Sequence, residues 1–268
     1  MGPERIEVGR CIYCGTSAKL SDEHVIPRGL GGNLVLARAS CPRCAEITSR
    51  FERNILRSPQ VLALRAAFGL PTYHPKNRPD TFRLTVTRNG EDEVLEVPTH
   101  QTLLGFPSPN FPPPGFLSGA SVRGISVTGI GLELVGGLSP KALSQMHKAE
   151  GLAVEVKFSS VAFAQLLAKI SYGSAVAMLG LDSMEEVFVL PSILAQRDDI
   201  GTWVGCPPGA FDEEPGQIRD LHEVRILQNQ SRTLMAVVRL FRGVQYQVII
   251  GRTRTKLGRD MSGARCKA

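Results

Sequence analysis

Two cysteine pairs bracket the early part of the chain and constrain its folding more than any other feature. Cys11 and Cys14 are spaced C-x2-C, and Cys41 and Cys44 repeat that spacing. A C-x2-C turn lets two sulfurs face one point, and two such turns complete the tetrahedral thiolate set of a closed structural zinc site. The competing reading is two buried thiol pairs. Met1-Gly2-Pro3-Glu4 leads into charged residues with no apolar run. The expectation is therefore a cytoplasmic protein, in which paired cysteines hold metal more often than they form disulfides. Cys206 and Cys266 have no such company and are expected to be ordinary thiols.

The residues between the pairs alternate between strand and turn signals. Val25-Ile26 reads as a strand stopped by Pro27, which cannot donate to a ladder. Gly29, Gly31 and Gly32 supply a sharp connection, and Asn33-Leu34-Val35-Leu36 reads as the returning strand. Ser40 is placed to cap a helix that starts near Cys41, with Pro42 tolerated in its first turn. Ile47, Phe51 and Ile55 give that helix one apolar stripe. The unit is strand, loop, strand, helix. It is too small to hold itself with a core alone, which is what gives the metal its structural value.

Glu23-His24 sets a carboxylate beside an imidazole within this unit. Phosphodiester hydrolysis at a one-metal site needs a base to deprotonate water, a hard cation to stabilise developing charge, and ligands to fix that cation. The order C-x2-C, Glu-His, Gly-Gly-Asn, C-x2-C over residues 11–57 resembles the HNH endonuclease family. The resemblance covers roughly a fifth of the chain. It implies a ββα-metal core and cleavage of nucleic acid, double-stranded DNA foremost. It also implies His24 as general base, Glu23 as ligand of Mg2+ or another divalent ion, and Asn33 as the asparagine that orients His24. Where the family carries a second His or Asn ligand after the last zinc cysteine, this chain has Ala45, which coordinates nothing. Thr48, about one turn on and ~60° round the helix, is the candidate substitute. Ala45 also fits a second reading, a catalytically weakened or inactive HNH-type protein that binds nucleic acid or another partner. A third reading is a zinc module that only supports the rest of the chain.

Charge bears on the partner. Lys and Arg number 31 against 25 Asp and Glu, for a net +6 and a pI near 9.1. Arg28, Arg38, Arg43, Arg50, Arg53 and Arg57 surround the motif, with Arg43, Arg50 and Arg57 sharing a helix face. A guanidinium fork matches two phosphate oxygens. A second basic group, Arg252, Arg254, Lys256, Arg259, Arg265 and Lys267, faces only Asp260; it reads equally as a solvated terminus or a phosphate contact. The other histidines, His74, His100, His147 and His222, are expected to be structural or surface residues.

The remainder predicts an α+β domain of antiparallel strands around a buried helix. Expected elements are a helix over 61–68, a hairpin at Asn89-Gly90 and an irregular Pro-rich linker over 105–119. Glycine-interrupted strands over 121–135 precede a helix opened by Ser139-Pro140. A strand over 152–158, a long apolar helix capped by Ser159 or Ser160, and three strands over 222–250 complete the list. The predicted organisation is 1–58 (zinc module), 59–119 (connection), 120–251 (second domain, which could carry a homodimer or protein contact) and 252–268 (basic tail). Lys169 lies mid-way along the apolar helix. It argues for a core helix and against a membrane span.

Overall fold

In the computed structural model the chain is an α+β protein. The structure describes residues 4–72, 74–157, 159–208, 221–257 and 265–267, the last three by backbone alone. Phe158, most of the Gly/Pro-rich stretch after Gly201, Arg259, Asp260 and the side chains of Arg265, Cys266 and Lys267 lie outside the described residues.

The N-terminal unit forms a three-stranded sheet and a helix. Strand β1 (Glu4–Glu7) runs parallel to β3 (Leu34–Ser40), and β2 (Ser21–His24) pairs antiparallel on the other side of β3, with Glu23 opposite Leu36 and His24 opposite Val35. The sequence gives strand β2 as beginning at Val25; it instead ends at His24, and β1, read as a polar lead-in, is a strand. Gly31 turns the intervening loop with φ at 94°, and a side chain at Gly32 would meet the Ile26 carbonyl oxygen at 2.1 Å. Helix α1 (Pro42–Leu56) follows, with Cys41 in the extended N-cap position and Pro42 in its first turn. Phe51 and Ile55 are buried and Ile47 packs against the core.

Helix α2 (Pro59–Ala67) leads to the hairpin β4 (Thr81–Arg88) and β5 (Glu91–Pro98), joined at Asn89-Gly90 with both φ values positive. Strand β6 (Leu103–Asn110) occupies the stretch that composition assigns to a linker, paired with β7 (Gly129–Gly137). Proline is tolerated there because β6 has a single partner strand. Pro107 and Pro109, two apart, present the same edge, and the Pro109 carbonyl accepts a hydrogen bond from the Tyr246 hydroxyl at 3.1 Å. Helix α3 (Pro140–His147) is capped by Ser139, whose hydroxyl accepts from the Ala142 N–H. Strand β8 (Gly151–Ala153) is shorter than its apolar run.

Helix α4 (Ser160–Leu179), capped by Ser159, is the axis of the molecule. It is long and apolar enough to cross a membrane by composition, but 78% of its apolar window is buried inside the protein; it is a core helix. One side packs against the C-terminal sheet, where Phe163 meets Tyr246 at a ring distance of 5.4 Å, and against Phe106 of β6 and Phe111 just after it, at 5.9 and 6.3 Å. Beyond it come β9 (Met184–Val187), the short helices α5 (Leu190–Ile193) and α6 (Ile200–Trp203), and β10 (Val204–Gly205). Strands β11 (His222–Gln228), β12 (Thr233–Leu240), β13 (Gln245–Thr253) and β14 (Arg265–Lys267) complete a six-stranded sheet. Arg252 therefore belongs to a strand, with its guanidinium 5.9 Å from the Phe188 ring, and is no part of a tail.

His222 ties the two halves together. Its Nδ1 accepts from the Phe241 N–H at 3.2 Å, so Nε2 carries the proton and donates to the Leu30 carbonyl at 2.8 Å. Burial holds its pKa down, to about 4. Below pH ~6.5 the unfolded chain takes up a proton that the native state refuses, so stability falls with pH until the native ring also protonates near 4; the difference amounts to about 3 kcal/mol. Denaturation midpoints measured from pH 7 to 4.5 should fall more steeply for the native protein than for His222→Gln, and parallel slopes would show that this ring does not titrate as argued.

Candidate functional site

The local structure explains why four sulfurs meet. Cys11 and Cys14 sit in the turn after β1, closed by the Gly15 N–H donating to the Cys11 carbonyl at 2.9 Å. Cys41 and Cys44 sit at the start of α1. The Ile12 N–H donates to the Ala39 carbonyl at 2.8 Å and fastens the first turn to the strand leading into the second pair. All four ligand atoms lie within 4.8 Å of one another, with Cys14 Sγ and Cys41 Sγ 3.6 Å apart. A tetrahedron with zinc–sulfur bonds of ~2.3 Å has sulfur–sulfur edges of ~3.8 Å. The cluster therefore fits such an ion. Burial pushes the Cys41 thiol up, but hydrogen bonds from Cys44 and the neighbouring thiols outweigh it and bring the group down to about 7; burial holds Cys11 and Cys44 above the ordinary thiol value. A lowered thiol is the first to become the thiolate that a metal binds.

The structure separates Glu23 from His24. Neighbours on a strand address opposite faces. Glu23 points inward and is 7% exposed, while His24 is half-buried. Glu23 meets Lys169, which reaches down from α4 and is 1% exposed. Lys169 Nζ lies 2.7 Å from the Glu23 carboxylate and 2.9 Å from that of Glu52 on α1. The same ammonium donates to the main-chain carbonyls of His24 and, at 3.3 Å, Val25. Burial alone would pull the lysine down, but the two carboxylates push it up to about 12, so it is a cation. Burial pushes Glu52 up against the opposing pull of Lys169. Burial also lowers the His24 pKa, helped by the charge of Lys169.

Helix α4 grips the cysteine turn as well. Tyr172, three residues after Lys169 and on the same helix face, donates its hydroxyl hydrogen bond to the Ile12 carbonyl at 2.6 Å, and its ring stands 6.2 Å from that of Tyr13. The Tyr13 hydroxyl is buried without a hydrogen-bond partner among the described residues. The sequence signal for this arrangement was Lys169 itself. A lysine in an apolar buried helix needs a carboxylate, and the cysteine-bounded unit and its helix offer four, Asp22, Glu23, Glu46 and Glu52; which two it takes is decided by the fold.

The other sequence candidates fare as follows. Asn33 is exposed and its side chain makes no hydrogen bond among the described residues, so nothing ties it to His24. Thr48 is 3% exposed and its hydroxyl donates to the Ala45 carbonyl at 3.3 Å, within its own helix. Of the arginines around the motif, Arg50 is paired with Glu46 at 2.5 Å and Arg38 approaches Glu7 at 3.8 Å. Arg28, Arg53 and Arg57 are exposed and line a cleft beside α1. Arg65, which sequence reasoning passed over, lines it too.

Comparison with protein-family models, with characterised proteins and with solved structures finds no match.

Proposed function

We propose that this chain is a nucleic-acid-binding protein whose N-terminal unit is a zinc module on the HNH plan, without the divalent ion that HNH cleavage uses. One observation carries the reading: the carboxylate that would hold that ion is occupied by Lys169, itself wholly buried. Mg2+ demands near-octahedral oxygen ligands and keeps several waters. A carboxylate turned inward and capped by an ammonium offers it neither open oxygen nor water. Ala45 has no donor atom, and Thr48 is buried and bonded to its own helix. The residues present do not fit a catalytic Mg2+. The basic surface remains: Arg28, Arg53 and Arg57 are exposed and gather near the C-terminal end of α1, and arginines there suit phosphate contact without base readout.

Cleavage is the second reading, favoured by His24. Its half-buried imidazole is held toward the neutral form by burial and by Lys169, which is the state a general base requires. One pair of measurements separates the two. Plasmid DNA should be retained by the protein at low salt and released as salt rises, with a salt slope that falls by about one for each phosphate-contacting arginine removed. With Mg2+ or Mn2+ the plasmid should stay supercoiled, for native protein and His24→Ala alike. Cutting that the His24→Ala variant lacks would establish the nuclease instead, and a failure to retain DNA at low salt would leave the module a structural support only.

A further inference from the structure

Beside α1 lies a cavity of about 460 Å³ whose lining carries four guanidinium groups, Arg28, Arg53, Arg57 and Arg65, against an apolar wall that includes Leu56 and Pro71. Among the described residues none of the four makes an ion pair. The one acid in the lining, Glu52, is engaged by Lys169. Arg65 is fixed in place: its Nη1 donates to the Leu56 carbonyl at 3.2 Å and its Nη2 to the Pro71 carbonyl at 2.9 Å, while its Nε–H has no partner among the described residues. Arg78 stands close enough to depress the pKa of Arg65, behind burial as the larger cause, and is itself anchored on the Leu70 carbonyl at 2.8 Å. Four guanidinium groups facing one carboxylate, which is itself drawn toward Lys169, leave the recess net positive and favour an anion.

The kind of anion follows from shape. Guanidinium forks match the paired oxygens of phosphate. The volume falls in the range of small-ligand sites, and is too small for a duplex. The apolar wall suits the less polar part of such a ligand, and His74, exposed and in the lining, offers a ring to a base. Neither Glu23 nor His24 lines the cavity. We propose that this cavity binds a single nucleoside phosphate, either a free mononucleotide or the phosphorylated terminal nucleotide of a strand. The strand-end source rests on the nucleic-acid reading above; the free-nucleotide source does not.

The test uses the full chain and three probes. In calorimetry, 5′-AMP should bind and adenosine should bind at least about tenfold more weakly, the loss of a charge-assisted contact. In fluorescence anisotropy, a short single strand bearing a 5′-phosphate should bind about tenfold more tightly than its 5′-hydroxyl counterpart if strand ends are the source, and equally if free nucleotide is. The double variant Arg28→Gln/Arg57→Gln changes only exposed side chains and should lose AMP binding by at least tenfold. Arg83→Gln, on the exposed side of β4 away from the cavity, should keep it. Equal binding of AMP and adenosine, no binding of AMP, or an unchanged double variant overturns the cavity assignment. Should plasmid retention persist in that case, only the cavity assignment falls. AMP binding without any retention of DNA sinks the nucleic-acid reading and leaves the cavity as a mononucleotide site.

Discussion

Stripping the metal from the four cysteines should cost the protein more stability than any single side-chain change outside them. Structural zinc contributes ~10 kcal/mol or more in isolated finger peptides. Here the turn at Cys11–Cys14 is also held by Tyr172 and by the Ile12–Ala39 main-chain bond, so part of the loss is compensated. A remaining cost of ~5 kcal/mol would lower the thermal midpoint by roughly 10–20 °C in a chain of this size. The measurement is a melting curve before and after chelation, alongside metal analysis of the purified protein and the rate at which a thiol reagent modifies the cysteines. Cys44→Ser should reproduce the chelated curve. Protein that carries no metal, or whose midpoint and thiol reactivity ignore the chelator, would return the cluster to a pair of buried thiol turns.

The second large effect belongs to Lys169. Replacing it with methionine keeps the stem's volume but leaves two carboxylates buried without their cation. Removing one member of a buried ionic group costs about 3–5 kcal/mol, a fall of roughly 6–20 °C in the thermal midpoint. Glu23→Gln and Glu52→Gln, added together to Lys169→Met, should restore much of the loss because no uncompensated charge remains. The same variant examines the proposed function. In Lys169→Met the paired carboxylates become free for a divalent ion, so added Mn2+ should raise the midpoint of the variant and leave the native protein unmoved. If Mn2+ stabilises the native protein through Glu23, as judged by loss of the effect in Glu23→Gln, the ammonium does not close the site and the nuclease reading regains its metal.

Much of the architecture was legible because it rests on local rules. Cysteine spacing located the cluster, Asn89-Gly90 located a hairpin, and Ser139 and Ser159 marked helix starts with the side-chain caps that the structure displays. The three long C-terminal strands were expected after the Gly/Pro-rich stretch, at 222–227, 232–241 and 245–250, and the structure has them there. What was missed depends on distant partners. Strand β1 carries too little apolar character to announce itself, and becomes a strand only because β3 offers a parallel edge. Prolines hid β6, since composition cannot tell which edge of a strand has a neighbour. The motif made Glu23 and His24 look like one site. The pleat and a lysine 145 residues downstream of His24 divide them, and no spacing rule within residues 11–57 contains that information. Arg65 escaped notice because it joins the basic group only through the packing of α2 beside α1.

The bond from Lys169 to the His24 carbonyl spans most of the chain's first two thirds. A ribosome delivers Glu23 and Glu52 long before it delivers their cation. Until α4 emerges, the nascent N-terminal segment carries two acids whose native burial is unfavourable. Its sulfur cluster can form in that interval, but its strands and helix reach their final packing only after the later helix docks. An excised fragment ending near residue 58 should therefore take up metal yet remain loosely folded, and the order of synthesis becomes an order of assembly.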